Sequence, residues 1–260
     1  MRADGTVRAY RPRADLAGKG TGHMKRILIC APLRQDVDVF EAYQEGLDRL
    51  EVPEGFSADR FFVVNDCDEV IPHIRDAEYI RAENGEAYEK THNDHLWTLD
   101  LMWKMGGLRN MTIRKMLDGG YDYWLSADTD IVMDPWTLYH LIQADKDIVS
   151  EIFWTQAPNG RYWCNAWMED QSAGMSEEWK KPGLYRVGMT GALTLVKRRV
   201  FEAGVSYERI PNIRQALRGE DRHFCVRAAC AGFEMWIDTH CPARHLYTRE
   251  LYEKYKAGRR

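Results

Sequence analysis

The sequence has no apolar run approaching the roughly 20 residues that cross a bilayer, and its N-terminus has no signal-peptide apolar core. A membrane-spanning helix is therefore excluded, and a cytoplasmic location is expected. Charge of one sign is also scarce. Its 36 Lys and Arg against 40 Asp and Glu leave a net charge of −4, which carries no general footprint for nucleic acid or a lipid surface. The six cysteines (Cys30, Cys67, Cys164, Cys225, Cys230, Cys241) have no disulfide-scaffold rhythm, so reduced thiols are expected. Internal repeats, low-complexity blocks and a clear linker are missing as well, which points to one domain. What is present is core: 45% apolar residues in 260, enough for a single sizeable globular domain.

The two ends differ from the rest. Residues 1–23 carry Arg2, Arg8, Arg11, Arg13 and Lys19 among Gly, Ala and Pro, without apolar periodicity. They read as a basic, mobile arm, with Met24 a candidate start. Residues 24–250 are expected to form the domain and 251–260 a frayed basic tail. Between them, elements alternate. Arg26–Ala31 reads as a buried strand stopped by Pro32, Phe40–Leu50 as a helix, and Phe61–Val64 as a second strand. Tyr88–Met105 and Leu108–Leu117 read as two helices, the latter closed by Gly119-Gly120. Tyr123–Ala127 and Ile148–Trp154 read as further strands. This alternation predicts an α/β domain with a mostly parallel sheet flanked by helices.

Asp128-Thr129-Asp130 ends the apolar run Tyr123–Ala127. Read as the tip of a strand, it projects Asp128 and Asp130 to one face and turns Thr129 away. Two such carboxylates repel unless a cation lies between them, and a hard divalent ion carrying phosphate oxygens fits. The same spacing occurs at Asp36/Asp38, Asp66/Asp68 and Asp145/Asp147. Asp36/Asp38 reads as helix N-terminal charge and Asp145/Asp147 as a solvated turn. Asp66 ends an apolar strand and keeps functional interest, because ligands bind at the carboxyl ends of such strands.

Gly219-Glu220-Asp221 opens a helix that runs to Ala231 and stops at Gly232. The two acids serve either as ordinary N-terminal charge or as a base at the bottom of a cleft. Val187–Val196 is glycine-broken at Gly188 and Gly191, the mark of a close approach to backbone. Trp154, Tyr162, Trp163 and Trp167 are either sugar-stacking rings or core. Cys225, Cys230, His240 and His245 superficially resemble zinc ligands. Five residues apart on a helix, the two cysteines diverge by about 140°, which argues against a zinc finger.

Taken in order, Ile27–Cys30, Leu108-Arg109-Asn110, Asp128-Thr129-Asp130, Val187–Leu193, Gly219–Cys225 and His245-Leu246-Tyr247 resemble the metal-dependent glycosyltransferases of the GT-A fold, in particular small bacterial and phage-encoded members. The resemblance covers most of residues 25–247. It implies a Mn²⁺ or Mg²⁺ ion held by Asp130, less directly by Asp128, with His245 as the late metal or diphosphate contact and His240 as its rival. It implies Arg109 at the nucleotide, Asp66 at the base or ribose, Gly191 under the donor sugar, and Asp221 as the base of an inverting transfer beside Glu220. The partner implied is a nucleotide-sugar donor, a UDP-sugar. The acceptor stays open between a glycan, a small molecule and, as the one route to nucleic acid, a hydroxylated base in phage-type DNA. Pro32–Asp36 departs from the family's small polar turn. The alternatives are a nucleotidyltransferase, which wants a glycine- and lysine-rich phosphate loop that residues 31–38 lack, and a non-catalytic carbohydrate- or nucleic-acid-binding module.

Overall fold

The structure is a computed structural model that describes residues 24–83, 90, 91, 94, 95, 98–156, 162–168, 176–213 and 219–258. The arm expected over residues 1–23 lies outside these. The strands are β1 (Lys25–Leu33), β2 (Phe56–Asn65), β3 (Glu78–Ala82), β4 (Lys90–Thr91), β5 (Asp94–His95), β6 (Tyr123–Ser126), β7 (Ile131–Val132), β8 (Ile148–Gln156), β9 (Tyr162–Cys164), β10 (Ala166–Trp167), β11 (Leu184–Val187), β12 (Met189–Thr190), β13 (Thr194–Lys197) and β14 (Met235–His245). The α-helices are α1 (Val37–Leu47), α2 (Leu99–Asp118), α3 (Thr137–Gln143), α4 (Arg198–Glu202), α5 (Glu220–Cys230) and α6 (Arg249–Ala257).

The main sheet has the order β11-β14-β8-β13-β6-β1-β2-β3, with β7 on β14 and β9 on β8. Six of the eight strands on this path run the same way; β13 and β11 oppose them. The alternation of side chains splits the core in two. Leu28 and Cys30 of β1 pack with Trp124, Leu108 and Met116 and with Phe224 of α5. Ile27, Ile29 and Ala31 pack on the other face with Phe40, Tyr43, Leu138 and Leu141 of α1 and α3. This is the α/β layering expected from the alternating pattern.

Several boundaries differ for physical reasons. Pro32 does not stop β1; it pairs in register with Val63. On its other side β6 is matched only as far as Cys30–Ser126, so the missing N–H leaves no ladder bond unmade. The two helices expected between Tyr88 and Leu117 are one described helix, α2, capped by the Thr98 hydroxyl, which accepts from Leu101 N. Gly106 inside it serves packing: a Cβ there would lie 2.8 Å from the Tyr207 carbonyl oxygen and 3.2 Å from Glu220 Cβ. The end of the domain is not a frayed tail through Ala257. Thr248 caps α6, and Tyr252 and Tyr255, three residues apart on one face, are buried against Val39, Ala42, Val132 and Leu246. A charge count misses this because the two tyrosines alone carry the apolar stripe.

Candidate active site

The carboxyl ends of β1, β2, β6, β8 and β14 open on one side of the sheet, where a cavity of about 460 Å³ is lined by Arg34, Asn65, Arg109, Asp128, Thr129, Asp130, Thr155, Gly191, Glu220, Asp221 and His245, among others. That volume suits a small-molecule ligand. Asp128 and Asp130 both reach it, but not by strand alternation. β6 ends at Ser126, and the acids lie in a turn closed by Ile131 N donating to Asp128 O at 2.9 Å. β7 then pairs with the end of β14, His245 opposite Ile131, and Leu246 N donates to Asp130 O at 2.7 Å. This pairing sets His245 Nε2 3.4 Å from Asp130 Oδ2. His245 Nδ1 shares a 2.7 Å hydrogen bond with Thr155 Oγ1 of β8, so the ring's other nitrogen is turned to Asp130.

Across the floor lies Arg109, 3% exposed and not a surface helix charge. Nη1 donates to Ser126 Oγ at 2.8 Å and Nη2 to Asp128 Oδ2 at 3.1 Å. Nη2 also lies 3.0 Å from Asp128 Oδ1, and Nε lies 3.8 Å from Glu220 Oε1 and 4.0 Å from Asp221 Oδ1. Burial works against the charged guanidinium, but Asp128, Asp221, Tyr207 and Glu220 hold its pKa well above normal. Its geometry is therefore that of a clamp on three carboxylates. Arg109 Nε, Asp128 Oδ1 and Asp221 Oδ1 are buried without a hydrogen-bond partner, a cost relieved when a ligand or ion engages them.

Glu220 and Asp221 occupy the first turn of α5, entered through Gly219 at φ 105° and ψ 148°, a conformation kept for glycine. Gly191 meets them from the β12–β13 junction: a Cβ there would fall 2.7 Å from Asp221 Oδ2. The close approach read from the glycine pattern is thus to a carboxylate. Next to it Ala192 holds φ 61°, a strained value on the cavity wall.

Burial raises both acids. Asp221 opens to the cavity with 29% of its side chain accessible, yet its carboxylate is deep enough that burial lifts its pKa against the pull of Arg109. Glu220, more enclosed and beside Asp221, is pushed up to about 8. The helix dipole does not by itself keep both ionised. Side by side, the two carboxyls keep a proton on the folded chain above the usual carboxylate range. The linkage sign follows. The folded state keeps the Glu220 proton between its unfolded value of 4.5 and about 8, so this group's contribution to stability is lost as pH rises through that window. Glu220→Gln is expected to lose less stability than the parent between pH 5 and pH 8, read by urea denaturation in EDTA. Identical pH slopes for variant and parent would place the titration elsewhere.

The remaining sequence candidates divide. Asp66 is not on the cavity wall; its Oδ2 lies 4.0 Å from Arg34 Nη1, and Arg34 and Asn65 take the wall instead. Asp66 adopts φ 46°, a left-handed turn that Asp tolerates. Trp163 and Trp167 line the cavity, whereas Trp154 packs on the core and Tyr162 is exposed. His240 bonds Asp238 and stands away from Asp130. Asp38 pairs with Arg249, and Asp145 and Asp147 pair with Lys197 and Arg199, all away from the cavity as expected. Ser126, Thr155 and Asn165 were not legible beforehand. The apolar wall formed by Leu101, Met102 and Met105 of α2 was marked only by its helical spacing.

The architecture is a mixed α/β fold with a large, mostly parallel sheet and its cavity at the carboxyl edge, the kind of fold that the resemblance to GT-A enzymes implies. No protein-family description matches the chain, and no curated protein does. Solved structures match its fold. Residues 1–349 of S. aureus TarS align with a TM-score of 0.52 at 10% identity over 84% of this chain and 59% of that one. TarS 1–349 in complex with UDP-GlcNAc aligns at 0.50 and 11% identity over 85% and 57%. A197 from STIV aligns at 0.45 and 15% identity over 85% of each chain. The chain thus spans under two thirds of the TarS structures, and at these identities the likeness is one of fold.

Proposed function

We propose that this chain is a glycosyltransferase that moves a sugar from a nucleotide-sugar donor, a UDP-sugar, to an acceptor hydroxyl with inversion, using a divalent ion. The observation that carries the reading is the division of one cavity: Asp130 and His245 on one wall, Asp221 clamped beside Arg109 on the other. The TarS complex with UDP-GlcNAc supports the donor class, because the same fold there accepts a nucleotide-sugar.

The residues fit an ion. Asp130 Oδ2 and His245 Nε2 are 3.4 Å apart, close to the spacing of about 3 Å between adjacent donors around a Mg²⁺- or Mn²⁺-sized ion. Asp128 Oδ1 has no hydrogen bond, and Arg109 holds the same carboxylate, which makes it the lesser donor. Bound there, a divalent ion supplies Lewis-acid charge for the diphosphate leaving group. The chain's own groups do the rest. Ionised Asp221 takes the acceptor's proton, Gly191 leaves room for the reacting sugar, and Glu220 stays neutral so that the floor does not repel Asp221. Arg109 acts by placing the carboxylates, with nucleotide contact a secondary part. Arg34, beside Asp66, and Asn65 face the nucleoside end, and Trp163 and Trp167 offer rings to a sugar or base.

Incubation with UDP-sugars and Mn²⁺ tests this, since transfer or hydrolysis releases UDP. Asp130→Ala and His245→Ala are expected to lower apparent Mn²⁺ affinity in UDP-binding calorimetry by at least tenfold, and His240→Ala to leave it unchanged. Wild-type turnover by Asp130→Ala in EDTA would sink the metal role. Donor binding with no UDP release under any condition would make the chain a binding module.

A further inference from the structure

A second group of ionisable side chains lies beneath α3, and none of them lines the cavity. Glu151 of β8 and Asp238 of β14 are register partners on parallel strands, so they leave the same face side by side. That face is the α1/α3 layer, since Val149 and Phe153, two residues either side of Glu151, pack there. Glu151 is 0% and Asp238 3% exposed. His140 of α3 is buried over them. His240 and Cys241 come from the bulge where β14 slips register between Asp238 and Ala243.

The contacts converge on nitrogen and oxygen donors. Asp238 Oδ1 accepts from His240 N at 2.9 Å and lies 3.0 Å from His240 Nδ1. The His240 ring stacks on His140 with centroids 4.9 Å apart. One donor atom from each of His140, Asp238 and His240 lies within 4.8 Å of the others. Cys241 N donates to Glu151 Oε1 at 3.3 Å, while Glu151 Oε2 is buried without a hydrogen-bond partner.

Charge is the difficulty that this arrangement poses. Two adjacent carboxylates sit in the interior, and among the described residues neither forms a salt bridge with a lysine or arginine. A dication is the group that answers the two acids and uses the two imidazoles at once.

We propose that His140, Asp238 and His240 form a zinc site, separate from the cavity, that pins α3 to the bulge of β14. Two imidazoles and a carboxylate, with the Cys241 thiol adjoining, are a donor set for Zn²⁺ rather than for Mg²⁺ or Mn²⁺, which favour oxygen. Donors around a tetrahedral zinc lie about 3.3 Å apart. Capture therefore requires the stacked rings to turn and close from donor spacings of up to 4.8 Å, a motion open to His240, whose side chain is 34% accessible. The ion would hold the strand that delivers His245 to Asp130.

The test uses the full chain carrying Asp130→Ala and His245→Ala, which removes the cavity's donors. Metal-free protein of this background is expected to bind one equivalent of Zn²⁺ by calorimetry and to melt higher with zinc. With Co²⁺ it should show the visible absorption of a tetrahedral site. Adding His240→Gln, on the accessible bulge and so not expected to unfold the chain, should weaken zinc binding at least tenfold and abolish the Co²⁺ spectrum. Background protein that binds no zinc, or His240→Gln protein that binds it with unchanged affinity, would overturn the proposal.

Discussion

Asp221→Asn is expected to abolish transfer while leaving a folded protein that still binds its donor. Asn keeps the size of the side chain beside Gly191, where the backbone approach leaves no room for anything larger, but it cannot accept a proton. The loss of charge in the first turn of α5 costs no more than about 0.3–1 kcal/mol, and removing one of three clustered carboxylates offsets part of it. Activity is expected to fall by a factor on the order of 10²–10⁴, the usual contribution of a positioned general base. Thermal melts and UDP-binding calorimetry should remain near those of the parent. If Asp221 served only as helix-terminal charge, the rate would barely change. The stereochemical reading is checked separately by NMR of the product: an anomeric configuration equal to the donor's refutes inversion whatever the variant does.

Arg109→Ala is expected to have the largest effect on stability of any single substitution in the cavity. Arg109 is 3% exposed and faces Asp128, Glu220 and Asp221, so its removal strands negative charge in the interior, a change that costs about 3–5 kcal/mol. The loss should be larger at pH 8 than at pH 5. At lower pH Glu220 and Asp221, both raised by burial, take up protons, and the missing cation matters less. Transfer is expected to fail as well, because Asp128 and Asp221 lose their placement. Arg109→Lys should recover part of the stability but not the activity, since a single ammonium cannot reproduce the fork that serves Ser126 and Asp128 together. Denaturation at the two pH values with a donor-turnover assay reads all of this. An alanine variant as stable as the parent would return Arg109 to the role of a nucleotide contact alone.

The layered α/β fold was legible because its signals are local. Buried strands such as Ile27–Ala31 are short apolar runs, and α5 is bounded by glycines whose φ values, 105° at Gly219 and 86° at Gly232, few other residues adopt. The close approach at Gly191 was legible for the same reason. What failed was local too, but ambiguous. Pro32 reads as a stop until the extent of β6 shows that its missing donor costs nothing. The C-terminal segment reads as charged until Tyr252 and Tyr255 find Val39 and Leu246. Two helices were expected where Gly106 admits Tyr207 and Glu220 against one.

The sequence by itself determined which residue types stood ready for chemistry, and where along the chain: the acids at 128 and 130, the acids at 220 and 221, and a late histidine. Tertiary structure alone decided their company. The pairing of β7 with β14 put His245, rather than His240, beside Asp130, while the bulge of β14 set His240 with His140 and Asp238. It also enclosed Arg109 among three carboxylates up to 112 residues away in the chain, converting a helix charge into the clamp of the site. Periodicity reports which face of an element is buried. It carries no information on which distant groups share that burial, and in a low-dielectric floor those neighbours set the charge on Glu220 and Asp221.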